Sequence, residues 1–151
     1  MDTYDNQMGK KYLSIAFVVM FIVQLVEILF ALRFNEIESY IPKSIITVGL
    51  LIAWFYCIAE GFKIAKWALI LVCIFTGIHF LYNGYIFYMT ERVYYDNSLV
   101  TEGGSLAKLY GVQMIICGII KLSFSLLMIF SKSINIFLEE KRKKRAAFSK
   151  R

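Results

Sequence analysis

Two charged residues stand inside otherwise apolar stretches, and they are the first candidates for chemistry. Glu27 is the only charge in residues 12–32, and Lys121 is the only charge in residues 109–131. A charge at the centre of a bilayer costs at least about 2.5–3.5 kcal/mol, so each one is a functional candidate. Helical side chains lean toward the helix N-terminus, so on antiparallel helices these two lean toward each other. If helices 1 and 4 touch, an ion pair between the two is geometrically possible, and it would be either a structural contact or part of a proton or ion relay.

Uncharged polar residues could extend such a relay. Gln24 precedes Glu27 by three residues and so shares its helix face, while Thr76, His79 and Asn83 recur at spacings of three and four. His79 is the only histidine, and histidine is a residue type that often carries protons in such relays. We interpret it either as a hydrogen-bonded bundle residue or as part of a polar cavity with Glu27. The predicted intramembrane polar set is Gln24, Glu27, His79, Asn83 and Lys121.

Metal, redox and hydrolytic motifs are missing from the sequence. The single histidine and the widely spaced Cys57, Cys73 and Cys117 form neither a metal-ligand pattern nor a CxxC pair. There is also no P-loop, GxGxxG, GxSxG or HExxH. We predict no metal, no cofactor and no enzymatic activity. A membrane enzyme acting on a lipid or a quinone stays open as an alternative.

The elements that carry these residues are four long apolar runs. Of the 151 residues, 59% are hydrophobic and 19% are charged, whereas a soluble domain is about half apolar and a quarter charged. A bilayer core needs about 20 apolar residues of helix. The sequence predicts an all-α polytopic membrane protein, a single domain over residues 1–151 folded as an antiparallel four-helix bundle. The predicted transmembrane helices are 12–33, 43–62, 66–89 and 107–131.

The distribution of Lys and Arg predicts the orientation. Twelve of the 17 fall on the side that holds both termini and the 60–66 loop, and four fall on the other side. Because basic residues favour the cytoplasmic side of a membrane, both termini are expected to face the cytoplasm. The protein itself is expected in the plasma membrane. The first apolar run exceeds the 7–15 residues of a signal-peptide core, so it is expected to remain as an uncleaved helix. This topology accounts for the basic charge without a nucleic-acid partner.

Small residues recur at helical spacing in two places, where they would let helix backbones approach closely. The stripe on helix 2 marks either a contact with a neighbouring helix of the same chain or a seam between identical chains. A weaker seam with a seven-residue spacing lies on helix 4. The predicted packing residues are Gly49, Ala53, Cys57 and Gly61 on helix 2, and Gly111 and Gly118, with Ser125, on helix 4.

The connections carry three further predictions. Pro42 suits the first turn of helix 2 and Ser105 suits the N-cap of helix 4. The outer loop, residues 90–106, is either a connector lying on the bilayer or a lid or docking surface. Tyr94 and Tyr95 within it suit the headgroup level.

The C-terminal tail, residues 132–151, carries five consecutive basic residues. Ile134, Phe137 and Leu138 keep one of its faces apolar. A basic run at this place either contacts anionic lipid or serves only to fix the orientation. The predicted lipid-contact residues are Lys141, Arg142, Lys143, Lys144 and Arg145.

The segment LLMIFSKSINIFLEEKR, residues 126–142, resembles the ends of many small four-helix bacterial membrane proteins of unknown function. The resemblance covers helix 4 and the tail, and it implies a bacterial cytoplasmic membrane protein without implying an activity. The function predicted from the whole sequence is a non-catalytic accessory, regulatory or immunity-type subunit that packs against another membrane protein. The alternative is a homo-oligomeric pore or small transporter that uses Glu27, His79 and Lys121.

Overall fold

The computed structural model describes residues 2–34, 37–95, 98–101 and 104–148. They form five helices and one short antiparallel hairpin between the third and fourth helices. The helices are α1 (Asp2–Phe34), α2 (Ile37–Ala59), α3 (Lys63–Thr90), α4 (Ser105–Phe130) and α5 (Lys132–Phe148). The strands are β1 (Val93–Tyr95) and β2 (Ser98–Thr101).

Four of the helices are long and apolar enough to cross a membrane, as the sequence predicts. Between 17 and 39% of the most apolar window of each is buried inside the chain, so most of their apolar surface faces outward. Outward-facing apolar surface on this scale is typical of a protein whose surroundings are lipid. The candidate spans are Asn6–Phe30, Ile41–Ala59, Lys63–Thr90 and Ser105–Phe130.

The helix ends differ from the prediction at two residues. The polar residues before Pro42 join α2, so this proline is the sixth helical residue and its missing N–H removes a hydrogen bond beyond the first turn. Ser105 is the first residue of α4, and the N-cap is Gly104, whose φ of 86° suits a residue without a side chain. The outer loop contains the β1–β2 hairpin. The side chains of Tyr94 and Tyr95, which the sequence places at the headgroup level, are not among those that the structure describes.

The most extensive packing between helices joins α3 to α4. A Cβ atom added to Gly84 would lie 2.7 Å from the Gly111 carbonyl oxygen, and one added to Gly118 would lie 2.8 Å from the Gly77 carbonyl oxygen. Gly77 is thus opposite Gly118 and Gly84 is opposite Gly111, so the two helices run in opposite directions. Since neither pair of facing glycines leaves room for a side chain, these four glycines determine how closely α3 and α4 approach.

The tail is the packed helix α5, and it begins after a break at Ser131. Ile134 is fully buried and Phe137 nearly so, which agrees with the predicted apolar face. Gly9 of α1 lies directly against Ser133 and Phe137, because a Cβ atom there would overlap both. α5 therefore packs along the first turns of α1 and belongs to the folded core.

Candidate functional site: a buried ion pair between α1 and α4

Glu27 and Lys121 form an ion pair in the interior of the chain. Lys121 Nζ lies 2.7 Å from Glu27 Oε1, and the two side chains are 8% and 10% exposed, respectively. Glu27 comes from α1 and Lys121 from α4, and the rings of Phe30 and Tyr110 stack between the same helices with centroids 6.0 Å apart. The predicted lean of the two side chains therefore leads to a direct contact.

A third helix contributes an aromatic ring to this pair. Lys121 Nζ lies 4.0 Å from the centroid of the Phe80 ring on α3, within the range of a cation–π interaction. The ammonium group is thus held by a carboxylate from α1 and a ring from α3. Because burying two charges is costly, close geometry of this kind is needed to offset the loss of hydration.

Gln113 and Cys117 lie on the same face of α4 as Lys121, and they were not among the site residues predicted from the sequence. Gln113, Cys117 and Lys121 are spaced four residues apart, so the spacing itself was the available signal. Gln113 Nε2 lies 3.1 Å from Cys117 Sγ. Gln113 Oε1 is buried and, within the described residues, accepts no hydrogen bond. Cys73, Cys117 and the half-buried Cys57 are free thiols.

His79 and Asn83 lie apart from the ion pair. The Asn83 Nδ2 atom is 2.8 Å from His79 Nε2, and His79 is exposed. His79 follows Gly77 by two residues, so it projects from the side of α3 opposite to the α4 contact. Gln24 on α1 is half-buried, and the Thr76 hydroxyl donates a 2.8 Å hydrogen bond to the Val72 carbonyl. Of the predicted polar set, Glu27 and Lys121 form an ion pair across two helices.

The two predicted packing stripes have different surroundings. Gly49 on α2 is exposed, and a Cβ atom there would meet nothing within 4 Å; Ala53 is also exposed. Cys57 is half-buried and Gly61 is buried in the turn against α5. The glycines of the α4 stripe, which the sequence indicated less strongly, lie in close contact with α3, whereas Gly49 of the α2 stripe has open space beside it.

The basic run on α5 is partly engaged with the chain itself. Lys141 Nζ lies 4.0 Å from Glu60 Oε1, and Lys143 Nζ lies 3.2 Å from Glu139 Oε1. The guanidinium carbon of Arg145 lies 3.7 Å from the Phe62 ring centroid. Arg142 and Lys144 are exposed. Of the five basic residues, three thus contact neighbouring residues of the chain through an ion pair or a ring.

The buried site combines an acid, a base and an amide, and its clearest chemical consequence is the mutual neutralisation of two charges. In the part of the chain that the structure describes, no three His, Cys, Asp or Glu residues are grouped so that they could hold a metal ion. Comparison with protein-family models, with curated proteins and with solved structures finds no match to this chain.

Proposed function

We propose that this protein is a non-catalytic integral membrane protein that acts as a subunit of another membrane protein, in an accessory, regulatory or immunity role. The observation that carries the proposal is the polar pair formed by the exposed His79 and the half-buried Asn83 on an otherwise apolar helix face. It is joined by the uncovered small residues of α2. Both features are what a transmembrane partner helix would cover.

His79 lies near the middle of the 28-residue span Lys63–Thr90. Its neighbours on the outer face of α3, among them Phe75 and Tyr82, are large and more than half exposed. Ionisable and amide side chains in a span normally face a bundle interior or a watery cavity. His and Asn side chains also hydrogen-bond between transmembrane helices. A partner helix on this face would give His79 and Asn83 that interior setting.

Gly49 and Ala53 offer a second surface for close approach. Small residues four apart let a neighbouring transmembrane backbone come near, and a Cβ atom added at Gly49 would meet no described atom within 4 Å. The partner is a different membrane protein in this proposal because the chain's own intramembrane charges are already paired. A homo-oligomeric pore would need Glu27, His79 and Lys121 along one path, and the buried pair and the outward His79 favour the subunit instead.

The proposed setting is the bacterial cytoplasmic membrane, with both termini and α5 in the cytoplasm. The excess of Lys and Arg on that side supports this orientation. In this orientation the β1–β2 hairpin is outside and the turn at Gly61 is inside.

Site-directed photocrosslinking in the native membrane tests the proposal. A photoreactive phenylalanine analogue at Phe75, one turn before His79, is expected to crosslink to a protein of different mass. The matched control is the same analogue at Ile116, which is exposed on α4. Replacing His79 and Asn83 by Leu should remove the Phe75 crosslink. A band at twice the mass of this chain would support self-association instead, and crosslinks to lipid alone from both positions would contradict the proposal.

A further inference from the structure

A pocket of about 250 Å³ lies where the start of α3 meets α5. Cationic side chains from both helices line it, Lys63 and Lys66 from α3 and Arg142 from α5, and Trp67 adds an aromatic wall. At about 30 Å³ per water molecule, the volume equals that of about eight waters. It therefore has room for a phosphate group together with part of the group esterified to it.

The burial and the neutral partner of Lys66 give the strongest indication that this pocket binds an anion. Only 8% of this residue is exposed, and its ammonium donates a hydrogen bond to Asn135 Oδ1, a neutral acceptor. None of the ion pairs among the described residues includes Lys66. A buried charge is normally balanced by an opposite charge. The pocket beside Lys66 is where an anion could provide it.

The other charged residues around the pocket add to its excess of positive charge. Lys63 and Arg142 also take part in no ion pair within the described ranges, and the one carboxylate on the lining, Glu139, is paired with Lys143 at 3.2 Å. The first turn of α3 has no acidic residue, and its N-cap provides no side-chain hydrogen bond. The N-terminal end of a helix carries a partial positive charge that favours anions.

We propose that this pocket binds a phosphate group, which is held by Lys63, Lys66 and Arg142. The headgroup of an anionic phospholipid and a soluble phosphate ester offer the same chemistry. The exposed rings of Phe62 and Trp67 at this end suit the headgroup level of a bilayer. A bound phosphate would join α3 to α5 beside Asn135, whose Nδ2 donates a 3.2 Å hydrogen bond to the Ile129 carbonyl at the end of α4. It would thereby hold α5 against the spans.

Retention of lipid by the purified full-length protein tests this site. The protein in non-ionic detergent is mixed with phosphatidylglycerol and phosphatidylcholine of the same acyl chains, passed over a sizing column in high salt, and its bound lipid is quantified. We expect preferential retention of phosphatidylglycerol. Arg142→Gln should lower this retention roughly fivefold, the equivalent of about 1 kcal/mol for one basic contact.

Lys144→Gln is the matched control, because it removes the same charge from an exposed position on the same helix outside the pocket. High salt screens general attraction to the surface, so this control should change retention by less than about twofold. Lys66→Met tests the buried cation and should lower retention as Arg142→Gln does. Circular dichroism confirms folding of each variant, and the exposed Arg142 keeps the test valid if Lys66→Met fails to fold.

Inorganic phosphate at millimolar concentration separates the two sources. If it neither displaces the lipid nor raises the unfolding temperature, and the two Gln variants differ as expected, the ligand is a lipid headgroup. If it raises the unfolding temperature of the parent but not of Arg142→Gln, the pocket binds a soluble phosphate compound. Equal effects of Arg142→Gln and Lys144→Gln, or binding of neither probe, would overturn the proposal.

Discussion

Removing one member of the buried ion pair should destabilise the protein far more than removing both. In Glu27→Gln the Lys121 ammonium loses its counter-charge and is left with the neutral amide and the ring of Phe80, and in Lys121→Met the Glu27 carboxylate loses its counter-charge. In the double variant neither charge is present. The expected pattern is therefore a large cost for each single change and a small cost for the pair.

The magnitude follows from the separation of 2.7 Å between Lys121 Nζ and Glu27 Oε1. At an effective dielectric constant of about 20, two unit charges at that distance attract by about 6 kcal/mol, and the cost of dehydrating both offsets much of this. Breaking a buried pair from one side typically costs about 3–5 kcal/mol, and replacing both members is often close to neutral. We expect about 3 kcal/mol for each single variant and about 1 kcal/mol or less for the double variant.

The assay is reversible unfolding in mixed micelles, in which dodecyl sulfate is titrated against a non-ionic detergent. Fluorescence of Trp54 and Trp67 and circular dichroism report the transition. Glu60→Gln is the matched control: its partner Lys141 is 4.0 Å away, both side chains are 42% exposed, and the change should cost less than about 1 kcal/mol. If the costs of the two single changes simply add in the double variant, the inferred coupling of Glu27 to Lys121 is refuted.

Three other outcomes are expected. Gly84→Ala should cost about 2 kcal/mol in the same unfolding assay, because the new Cβ would lie 2.7 Å from a carbonyl oxygen of α4. Gly49→Ala, in open space, should be neutral or stabilising. Equal effects of the two changes would contradict the close contact of α3 with α4. Gly9→Leu should separate α5 from α1 and speed tryptic cleavage of the basic run while leaving α3 and α4 protected; unchanged digestion would count against the packing of α5. In sealed cells, an impermeant maleimide should label Ser98→Cys but not Lys144→Cys; labelling of both, or of Lys144→Cys alone, would refute the proposed topology.

The number of long apolar helices follows from the sequence, and the sequence also identified Glu27 and Lys121 as possible partners. Apolar length predicts a span because the bilayer thickness is fixed. The lean of helical side chains made the ion pair possible, but the sequence did not show that α1 and α4 are neighbours, which the pair also requires. Phe80 was beyond prediction, since its position over the Lys121 ammonium depends on how α3 is rotated against α4.

That rotation is determined by glycines whose pairing was not recognised. Gly77 and Gly84 are seven residues apart, as are Gly111 and Gly118, so the matching pattern was present in the sequence. The four-residue spacing of small residues on α2 is the more prominent pattern in the sequence, although a Cβ atom at Gly49 would meet nothing within 4 Å. The spacing shows that one face of a helix carries small side chains. Which neighbouring helix packs against that face depends on the packing of all the helices.

The role of Lys66 was missed for a related reason. In the sequence it is one of several basic residues beside a turn, and it contributes to the count that predicts orientation. Its burial depends on the break at Ser131, where a ψ of 110° redirects the chain and brings α5 over the start of α3. A local backbone angle at one residue thus converts a surface lysine into a buried one.

The most direct test of the proposed subunit role is the mass and composition of the complex extracted gently from the native membrane at natural abundance. We predict a complex that contains this 17.5 kDa chain and a different membrane protein. It should dissociate when His79 and Asn83 are both replaced by Leu and persist when the exposed Ile116 is changed to Ala. Recovery of the parent protein as a lone monomer, or as a ring of identical chains, would contradict the proposed function.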